Sequence, residues 1–240
     1  MKTRMAVAVL ALVSAGCSPK ADDTSADTAM SDSTMMSMRS DSMEMSDDPD
    51  AAAQGGTGVP AGFVGRTDGE GQKLTDVRYK NDNGAWEIWT GPHHIVYSSR
   101  NTASGTYRLE TTIDQVEAPA HPESFGVFFG GTALDQPGIK YSYFMVRGTG
   151  EYLVKTRDGA GAKNVVAWKA ADGIPKADAS GKGSYKLAVN VGSDSVRFMV
   201  NEKQVGSLAK KAVYTDGIAG IRVGHNLHVR ATPVMVSAGK

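Results

Sequence analysis

The sequence of this chain predicts an all-β protein, a two-sheet antiparallel sandwich preceded by a signal peptide and a disordered tether. Three observations lead to this prediction. From residue 60 onward, apolar and polar residues alternate with a period of two, and Gly and Asn residues interrupt the alternation at short intervals. No stretch keeps the 3.6-residue apolar period of a helix across three turns. Eleven or more short strands at this spacing are typical of a sandwich.

The first element, residues 1–17, has the order of a secretory signal peptide. Lys2 and Arg4 give it a cationic start, an apolar run over 5–13 follows, and small residues precede Cys17. The apolar run is too short for a membrane-spanning helix, which needs about 20 residues. Cys17 is the single cysteine of the chain, so an intramolecular disulfide is excluded.

The four residues that end at Cys17, SAGC, resemble a bacterial lipobox, in which the cysteine becomes the lipidated first residue of the mature protein. Ser14 stands where Leu is usual in that motif. Ser18 follows the cysteine in place of Asp, which resembles the outer-membrane sorting pattern of Gram-negative lipoproteins. The resemblance implies an outer-membrane lipoprotein of the bacterial cell envelope, whose several acyl chains give stable anchoring.

The second element, residues 18–59, is predicted to be a disordered linker. It holds nine acidic residues against Lys20 and Arg39 and lacks aromatic residues, so it cannot bury enough apolar surface to offset its ordering entropy. Six of the eleven methionines lie here: Met30, Met35, Met36, Met38, Met43 and Met45. Thioethers suit Cu(I), but no histidine accompanies them and their spacing is irregular. A solvated spacer is therefore the first interpretation, and copper binding stays an alternative.

The third element, residues 60–240, is long enough for one hydrophobic core. It carries 22 basic and 17 acidic residues, without a Lys/Arg cluster interleaved with aromatics, which argues against nucleic-acid binding. The segment 185–191 places Leu187, Val189 and Val191 on one face. A hairpin is predicted over 141–157, with Phe144 and Val146 directed into the core.

Residues 86–236 resemble the concanavalin A-like jelly-roll superfamily, and within it bacterial laminin G-like proteins near the 3-keto-disaccharide hydrolase domain. The stretches that carry the resemblance are 91–110, 121–131, 141–157, 185–205 and 217–229. The resemblance implies a jelly roll, and it leaves open a hydrolase acting on a modified disaccharide or glycan. One turn departs from the pattern, because Asn201 is followed by Glu202 where Gly is usual, and this makes a type I′ turn less certain.

Catalytic motifs are sparse. Laminarinase-like members of the superfamily carry E-x-D-x-E on one strand; the nearest match here places Glu110 and Asp114 on one face and Glu117 on the opposite one. Cα atoms four residues apart on a strand lie about 13 Å apart, so these acids are interpreted as a solvated strand face. Nucleophile-elbow, zinc-protease, P-loop and dinucleotide motifs are absent from the sequence. The sequence therefore leans towards a protein that is not an enzyme.

The histidines predict no metal site. His93 and His94 are adjacent and should face opposite sides of a strand, and His225 and His228 are three apart. Val223 is expected to end a strand, with a bend over 224–226 and His228 facing solvent. Zinc needs three or four converging ligands, which this spacing does not supply. No cofactor is predicted; calcium stays an alternative, because many laminin G-like folds hold it.

The leading hypothesis is a lipid-anchored envelope module that binds carbohydrate or a related extracellular ligand. Sugar binding needs an aromatic platform and fixed polar groups, which one face of the middle hairpin and nearby loops can supply. The candidate ligand-binding residues are Tyr141, Tyr143, Arg147, Lys155, Arg157, Trp168, His121, Glu123, His225 and Asn226. The alternatives are the hydrolase and a non-catalytic adhesion or structural protein.

Overall fold

The computed structural model describes residues 51–239. The predicted signal peptide, Cys17 and the linker up to residue 50 lie outside the described residues. The described part of the predicted linker hydrogen bonds to the domain: the Ala53 amide donates to the Asp76 carbonyl at 2.8 Å, and the Gly58 amide donates to the Val77 carbonyl at 3.1 Å. Across residues 51–239, none of the helices has the length and apolar character to cross a membrane.

The regular secondary structure of the described residues is strand, apart from two short 3-10 helices at Leu74–Asp76 and Lys210–Ala212. The strands of the first half are β1 (Val64–Thr67), β2 (Arg78–Asp82), β3 (Ala85–Trp89), β4 (His94–Ala103), β5 (Tyr107–Gln115), β6 (Ser124–Thr132) and β7 (Lys140–Arg147). Those of the second half are β8 (Glu151–Asp158), β9 (Gly161–Ala170), β10 (Gly183–Val191), β11 (Ser195–Val200), β12 (Lys203–Ala209), β13 (Gly217–Val223), β14 (His228–Ala231) and β15 (Met235–Ala238).

These strands form two antiparallel sheets, as the sequence predicts. Sheet I has the order β1-β4-β13-β6-β7-β8-β9, and sheet II has the order β12-β11-β10-β5-β14-β3-β2, with β15 paired to β5. Half of the twelve neighbouring pairs in these two orders join strands that are not consecutive in sequence, because the chain crosses repeatedly between the sheets. As a result, the start of β4, the end of β13 and the start of β6 lie side by side at one end of sheet I.

The main core lies between the sheets and is filled by alternate residues of both. Phe144 of sheet I packs on Phe198 of sheet II with ring centroids 5.0 Å apart, and both side chains are fully buried. Leu187, Val189 and Val191 are buried on the face that the alternation predicts. Each such side chain contributes about 1.5–3 kcal/mol through the apolar surface it removes from water.

Sheet I also carries a second hydrophobic cluster on its outer face, the face turned away from sheet II. Its members come from the strands and from the loop between β6 and β7: Ile95, Tyr97, Phe128, Leu134, Ile139, Tyr141, Tyr143, Met145 and Leu153. Gly220 makes room for this cluster, because a Cβ there would lie 2.5 Å from the Phe128 ring. Part of the outer face of sheet I is therefore buried and packed, whereas one face of an antiparallel sheet is commonly solvated.

The turn between β11 and β12 has the type I′ backbone, although Glu202 stands where Gly is usual. Asn201 and Glu202 have φ of 47° and 64°, and Val200 pairs with Lys203 across a two-residue loop. Positive φ at both central residues is the requirement of a type I′ turn. Glu202 thus holds a conformation that favours Gly, while its carboxylate pairs with Lys186 at 2.7 Å.

Candidate functional site

The outer face of sheet I brings together charged and aromatic side chains from four segments of the chain: the loop after β1, and strands β7, β8 and β13. At its centre lies Arg222 of β13, whose side chain is only 8% exposed. Its Nη1 donates to Asp68 Oδ1 at 3.0 Å and to the Tyr141 hydroxyl at 3.0 Å, and its Nη2 pairs with Asp68 Oδ2. Its guanidinium also lies 4.6 Å from the centre of the Tyr143 ring. A buried cation with this many partners is held in one orientation.

Asp68 lies in the loop after β1 and joins two arginines. Arg157 Nη1 of β8 donates to Asp68 Oδ1 at 2.8 Å, beside the Arg222 bonds. Strands β13 and β8 are three positions apart in sheet I, which corresponds to about 14 Å. The Asp68 carboxylate contacts both arginine side chains, so it must lie above the sheet face, between the two strands. We call Asp68, Tyr141, Tyr143, Arg157 and Arg222 the arginine–aspartate network.

The charges of this network stabilise one another. Burial would raise the pKa of Asp68, but the hydrogen bonds and positive charges of Arg222 and Arg157 outweigh burial and hold that pKa below its ordinary value. Burial opposes the charge of Arg222, yet its partners Asp68, Tyr141 and Tyr143 raise the pKa of the guanidinium. Burial also raises the pKa of both tyrosines. The network therefore presents a fixed carboxylate, two fixed cations and two neutral hydroxyls.

A second cluster lies at the neighbouring end of sheet I, where β4 and β6 begin and β13 ends. His225 Nε2 lies 2.9 Å from Glu123 Oε1, and the rings of His93 and His225 are 4.0 Å apart at an angle of 32°. The three residues offer ligand atoms that all lie within 4.8 Å of one another. Burial raises the pKa of the Glu123 carboxyl, while His225 and His121 oppose that rise. We call these three residues the His–Glu cluster.

His94 faces the opposite way from His93, as the sequence predicts. Its Nε2 lies 2.5 Å from the Tyr79 hydroxyl, and its Nδ1 lies 3.2 Å from the Pro92 carbonyl. Because a carbonyl only accepts, Nδ1 carries the hydrogen and the tyrosine donates to Nε2. Full burial lowers the pKa of His94 to about 4, so the ring is neutral at physiological pH and serves the packing between the sheets.

The structure distributes the remaining candidate residues over sheet I. Lys155 lies on the outer face of β8, opposite Tyr143 in register. Arg147, at the far end of β7 from Tyr141, bonds Glu151 and lies 4.3 Å from the ring of Trp168 on edge strand β9. Six residues of strand separate Arg147 from Tyr141, or about 20 Å, so these two do not share one subsite.

Two loop residues from the predicted set differ in their accessibility. His121 is exposed in the loop before β6. Asn226 is 4% exposed, with a left-handed φ of 52°. Asn226 is therefore a buried residue of the bend between β13 and β14. The neighbouring His225 side chain is 21% exposed.

The carboxylates of β5 lie on the outer face of sheet II and are paired with cations. Glu110 Oε2 lies 3.0 Å from Arg108 Nη2. Asp114 Oδ2 lies 3.7 Å from Arg230 Nη1, and its Oδ1 accepts a hydrogen bond from the Ser184 hydroxyl at 2.6 Å. Glu117 was expected on the opposite face, but β5 ends at Gln115, and Glu117 then turns to His228 Nδ1 at 3.0 Å. Glu202 is a second acid near Glu110, because both carboxylates pair with Arg108 Nη2 and with Lys186 Nζ. These ion pairs at the surface fit the interpretation of a solvated strand face.

His228 is held at both nitrogens. Besides Glu117, Glu87 lies 3.0 Å from its Nε2, and its ring stacks on Trp89 at 4.5 Å. The bend after Val223 leaves His225 beside the end of β13 of sheet I, whereas His228 begins β14 of sheet II. Two surface depressions, of about 510 and 570 Å³, are lined by neither the arginine–aspartate network nor the His–Glu cluster. One lies beside Arg108 and the other beside Tyr214.

Sequence reasoning missed Asp68, Arg222 and the convergence of His93 on His225. Arg222 carried a signal: an arginine on the outward register of a strand whose neighbours Ile221 and Val223 are core residues. Asp68 stands in a glycine-rich loop and looks like an ordinary turn residue. Its role depends on a contact with a residue 154 positions away, which no local pattern encodes.

No family model matches this chain, and no curated protein matches its sequence. A solved structure of the carbohydrate-binding module CBM66 from Bacillus subtilis is similar to it, with a TM-score of 0.55 and 12% identity over 74% of this chain and 96% of that one. A protein of unknown function with a galectin-like fold, also from B. subtilis, has a TM-score of 0.48 and 11% identity over 74% and 90% of the two chains.

An alginate lyase gives a TM-score of 0.46 and 15% identity over 67% of this chain and 83% of its own. At 12% identity, the likeness to the CBM66 module establishes the fold, and the other two likenesses are more distant. The antiparallel sandwich fold that the resemblance to the concanavalin A-like superfamily implies is confirmed. The narrower resemblance to the 3-keto-disaccharide hydrolase domain stays a prediction.

Proposed function

We propose that this chain is a lipid-anchored module of the bacterial cell envelope that binds carbohydrate on the outer face of sheet I. The arginine–aspartate network is the observation that carries the proposal. Asp68 and Arg157 are partly exposed and held by buried partners, so they offer a fixed acceptor and fixed donors for sugar hydroxyls. Lys155 extends the same face.

Aromatic side chains lie both beneath these polar groups and at the far end of the same face. Tyr141 and Tyr143 are 1% and 6% exposed, so they form the floor and support the polar groups. Trp168 is 37% exposed on edge strand β9, beside Arg147, and offers a ring face for the apolar side of a different sugar unit of an oligosaccharide. The fold shared with the solved carbohydrate-binding module CBM66 is a second support, because that module binds the same class of ligand.

The test is calorimetric titration of the full-length chain, with chelator present, against neutral and uronic-acid-containing oligosaccharides. Arg157→Gln should weaken binding about 10-fold to 100-fold, because a hydrogen bond to a charged group contributes about 1.5–3 kcal/mol. Trp168→Ala should weaken it several-fold. Arg197→Gln is the matched control, since Arg197 is exposed on β11 of the other sheet. Undiminished binding by Arg157→Gln, or no binding by the wild type, would reject the proposal.

Cleavage of a glycan is the second candidate function, and Glu123 is the observation that favours it. Burial raises the pKa of this carboxyl, and its Oε1 lies 2.9 Å from His225 Nε2. A carboxyl with a raised pKa beside an imidazole suits proton transfer to a leaving group. Release of reducing ends that is lost in Glu123→Gln and kept in His121→Gln would support this function. A panel that yields no product would leave binding as the function.

A further inference from the structure

We propose that His93, Glu123 and His225 form a binding site for a divalent transition-metal ion of the zinc class. The three residues come from separate segments: the connection into β4, the loop before β6 and the bend after β13. Strand order makes these segments neighbours, because β13 lies between β4 and β6. The inference does not depend on carbohydrate binding, since it rests on the His–Glu cluster alone.

The separations suit a single ion. All three ligand atoms lie within 4.8 Å of one another, and the His225–Glu123 pair is at 2.9 Å. Around a tetrahedral zinc ion with bonds of about 2.0–2.1 Å, ligand atoms are separated by about 3.3–3.4 Å. The His225–Glu123 separation is slightly shorter than that value, and the limit of 4.8 Å exceeds it by about 1.5 Å, so small side-chain rotations bring the three atoms onto one ion.

The donor set selects the class of metal. Two imidazole nitrogens and one carboxylate oxygen are the ligands of Zn²⁺ and its first-row neighbours, whereas Ca²⁺ and Mg²⁺ prefer oxygen ligands throughout. Calcium, which the superfamily resemblance left as an alternative, therefore does not suit this cluster. Three protein ligands leave a coordination position for water or for a group of a bound ligand. The side chains of His225 and Glu123 are 21% and 14% exposed, so solvent reaches the cluster.

The surrounding backbone holds the ligands in place. The Gly224 amide donates to the Ser124 carbonyl at 2.8 Å, and these two residues directly adjoin His225 and Glu123. A Cβ on Gly224 would lie 2.6 Å from that carbonyl oxygen and 3.2 Å from Glu123 Oε2, so the close approach needs glycine. His94, bonded to Tyr79 and Pro92, fixes the backbone beside His93. Preorganisation of this kind keeps a site near its binding geometry before the ion arrives.

The test is titration of the chelator-treated full-length chain with ZnCl₂ by calorimetry, and with CoCl₂ by visible absorption. Variants His225→Gln and Glu123→Gln remove one ligand each. His121→Gln is the matched control, because His121 lies close enough to influence the Glu123 carboxyl yet is not one of the three ligands. Thermal unfolding in chelator shows that each variant is folded; a ligand variant that fails to fold is replaced by His93→Asn.

The wild type should bind one zinc ion at this site and show the cobalt absorption of an ordered low-coordinate centre. Each ligand variant should lose that absorption and bind zinc about 100-fold more weakly or worse, because even the loss of a supporting contact costs 10-fold to 100-fold. The His121→Gln chain should match the wild type. Equal zinc affinity in ligand variants and wild type would overturn the inference, and so would no binding by the wild type.

The failure of this inference is distinguishable from the failure of the proposed function. Sugar binding is measured in chelator and depends on Arg157, which lies outside the His–Glu cluster. Zinc binding is measured without sugar and depends on Glu123 and His225. A chain that binds zinc and no sugar would keep the metal site and reject the carbohydrate module; the converse result would do the opposite.

Discussion

Asp68→Asn isolates the buried charge of the arginine–aspartate network. Asp68 is the carboxylate partner of Arg222, whose side chain is 8% exposed, and of Arg157. Removing one member of a buried pair destabilises a protein by about 3–5 kcal/mol, because the other charge stays buried without compensation. Asp68 itself is 26% exposed, and Arg222 keeps the Tyr141 hydroxyl and the Tyr143 ring. We therefore expect a loss of roughly 2–3 kcal/mol of unfolding free energy.

For a domain of this size, that loss lowers Tm by about 4–12 °C. The assay is urea and thermal unfolding of the full-length chain, followed by circular dichroism at several pH values. Asp158→Asn is the matched control, because Asp158 pairs with Lys140 at 3.1 Å on the same sheet with 58% of its side chain exposed. Such a surface pair should contribute little.

The pH dependence adds a second criterion. The folded-state pKa of Asp68 lies below its ordinary value of 3.8, so the unfolded chain takes up the proton first as the pH falls. The stabilisation by Asp68 is therefore complete above about pH 5 and declines below about pH 4. The difference between wild type and Asp68→Asn should shrink over that range. A variant no less stable than Asp158→Asn, or a difference that stays constant down to pH 3, would refute the reasoning.

Three further predictions concern other parts of the chain. Burial holds the pKa of His94 near 4 against 6.5 in the unfolded chain, so stability should fall by on the order of 2–3 kcal/mol as the pH drops through that window; His94→Phe, compared by urea unfolding, should lose this dependence. Glu202→Gly should raise Tm modestly, because Glu202 has a φ of 64°, whereas Asn201→Ala should lower it. Cys17→Ser should move the protein from the membrane fraction to the soluble fraction on immunoblots; unchanged fractionation would contradict lipid anchoring.

The alternation of side chains along the strands could be predicted from sequence because it is a local property. Phe144 and Val146 face the core while Tyr141 and Tyr143 face outward, as the period of two requires. The bend after Val223 was also predicted, from the odd offset between two histidines. Trp168 and Arg147 were expected on the same surface as the tyrosines; they meet each other, but at the opposite end of β7.

The burial of the outward face was not predictable in the same way. Tyr141 and Tyr143 were expected to line an exposed platform, and the structure covers them to 1% and 6% exposure. Their cover comes from neighbours on other strands and loops, such as Arg222 from β13 and Asp68 from the loop after β1. Period-two alternation distinguishes two faces of a strand, but it does not say what lies over either of them.

By itself, the sequence determined that this chain is an all-β sandwich, that residues such as Phe144, Val146 and Leu187 face inward, and that His93 and His94 point apart. These follow from backbone geometry between residues that are neighbours in sequence. Only the tertiary structure decided that Asp68 meets Arg222, 154 residues later, and that His93, Glu123 and His225 converge. Those contacts depend on the order in which strands pair, and pairing energy comes from interactions between distant segments whose partners no local pattern specifies.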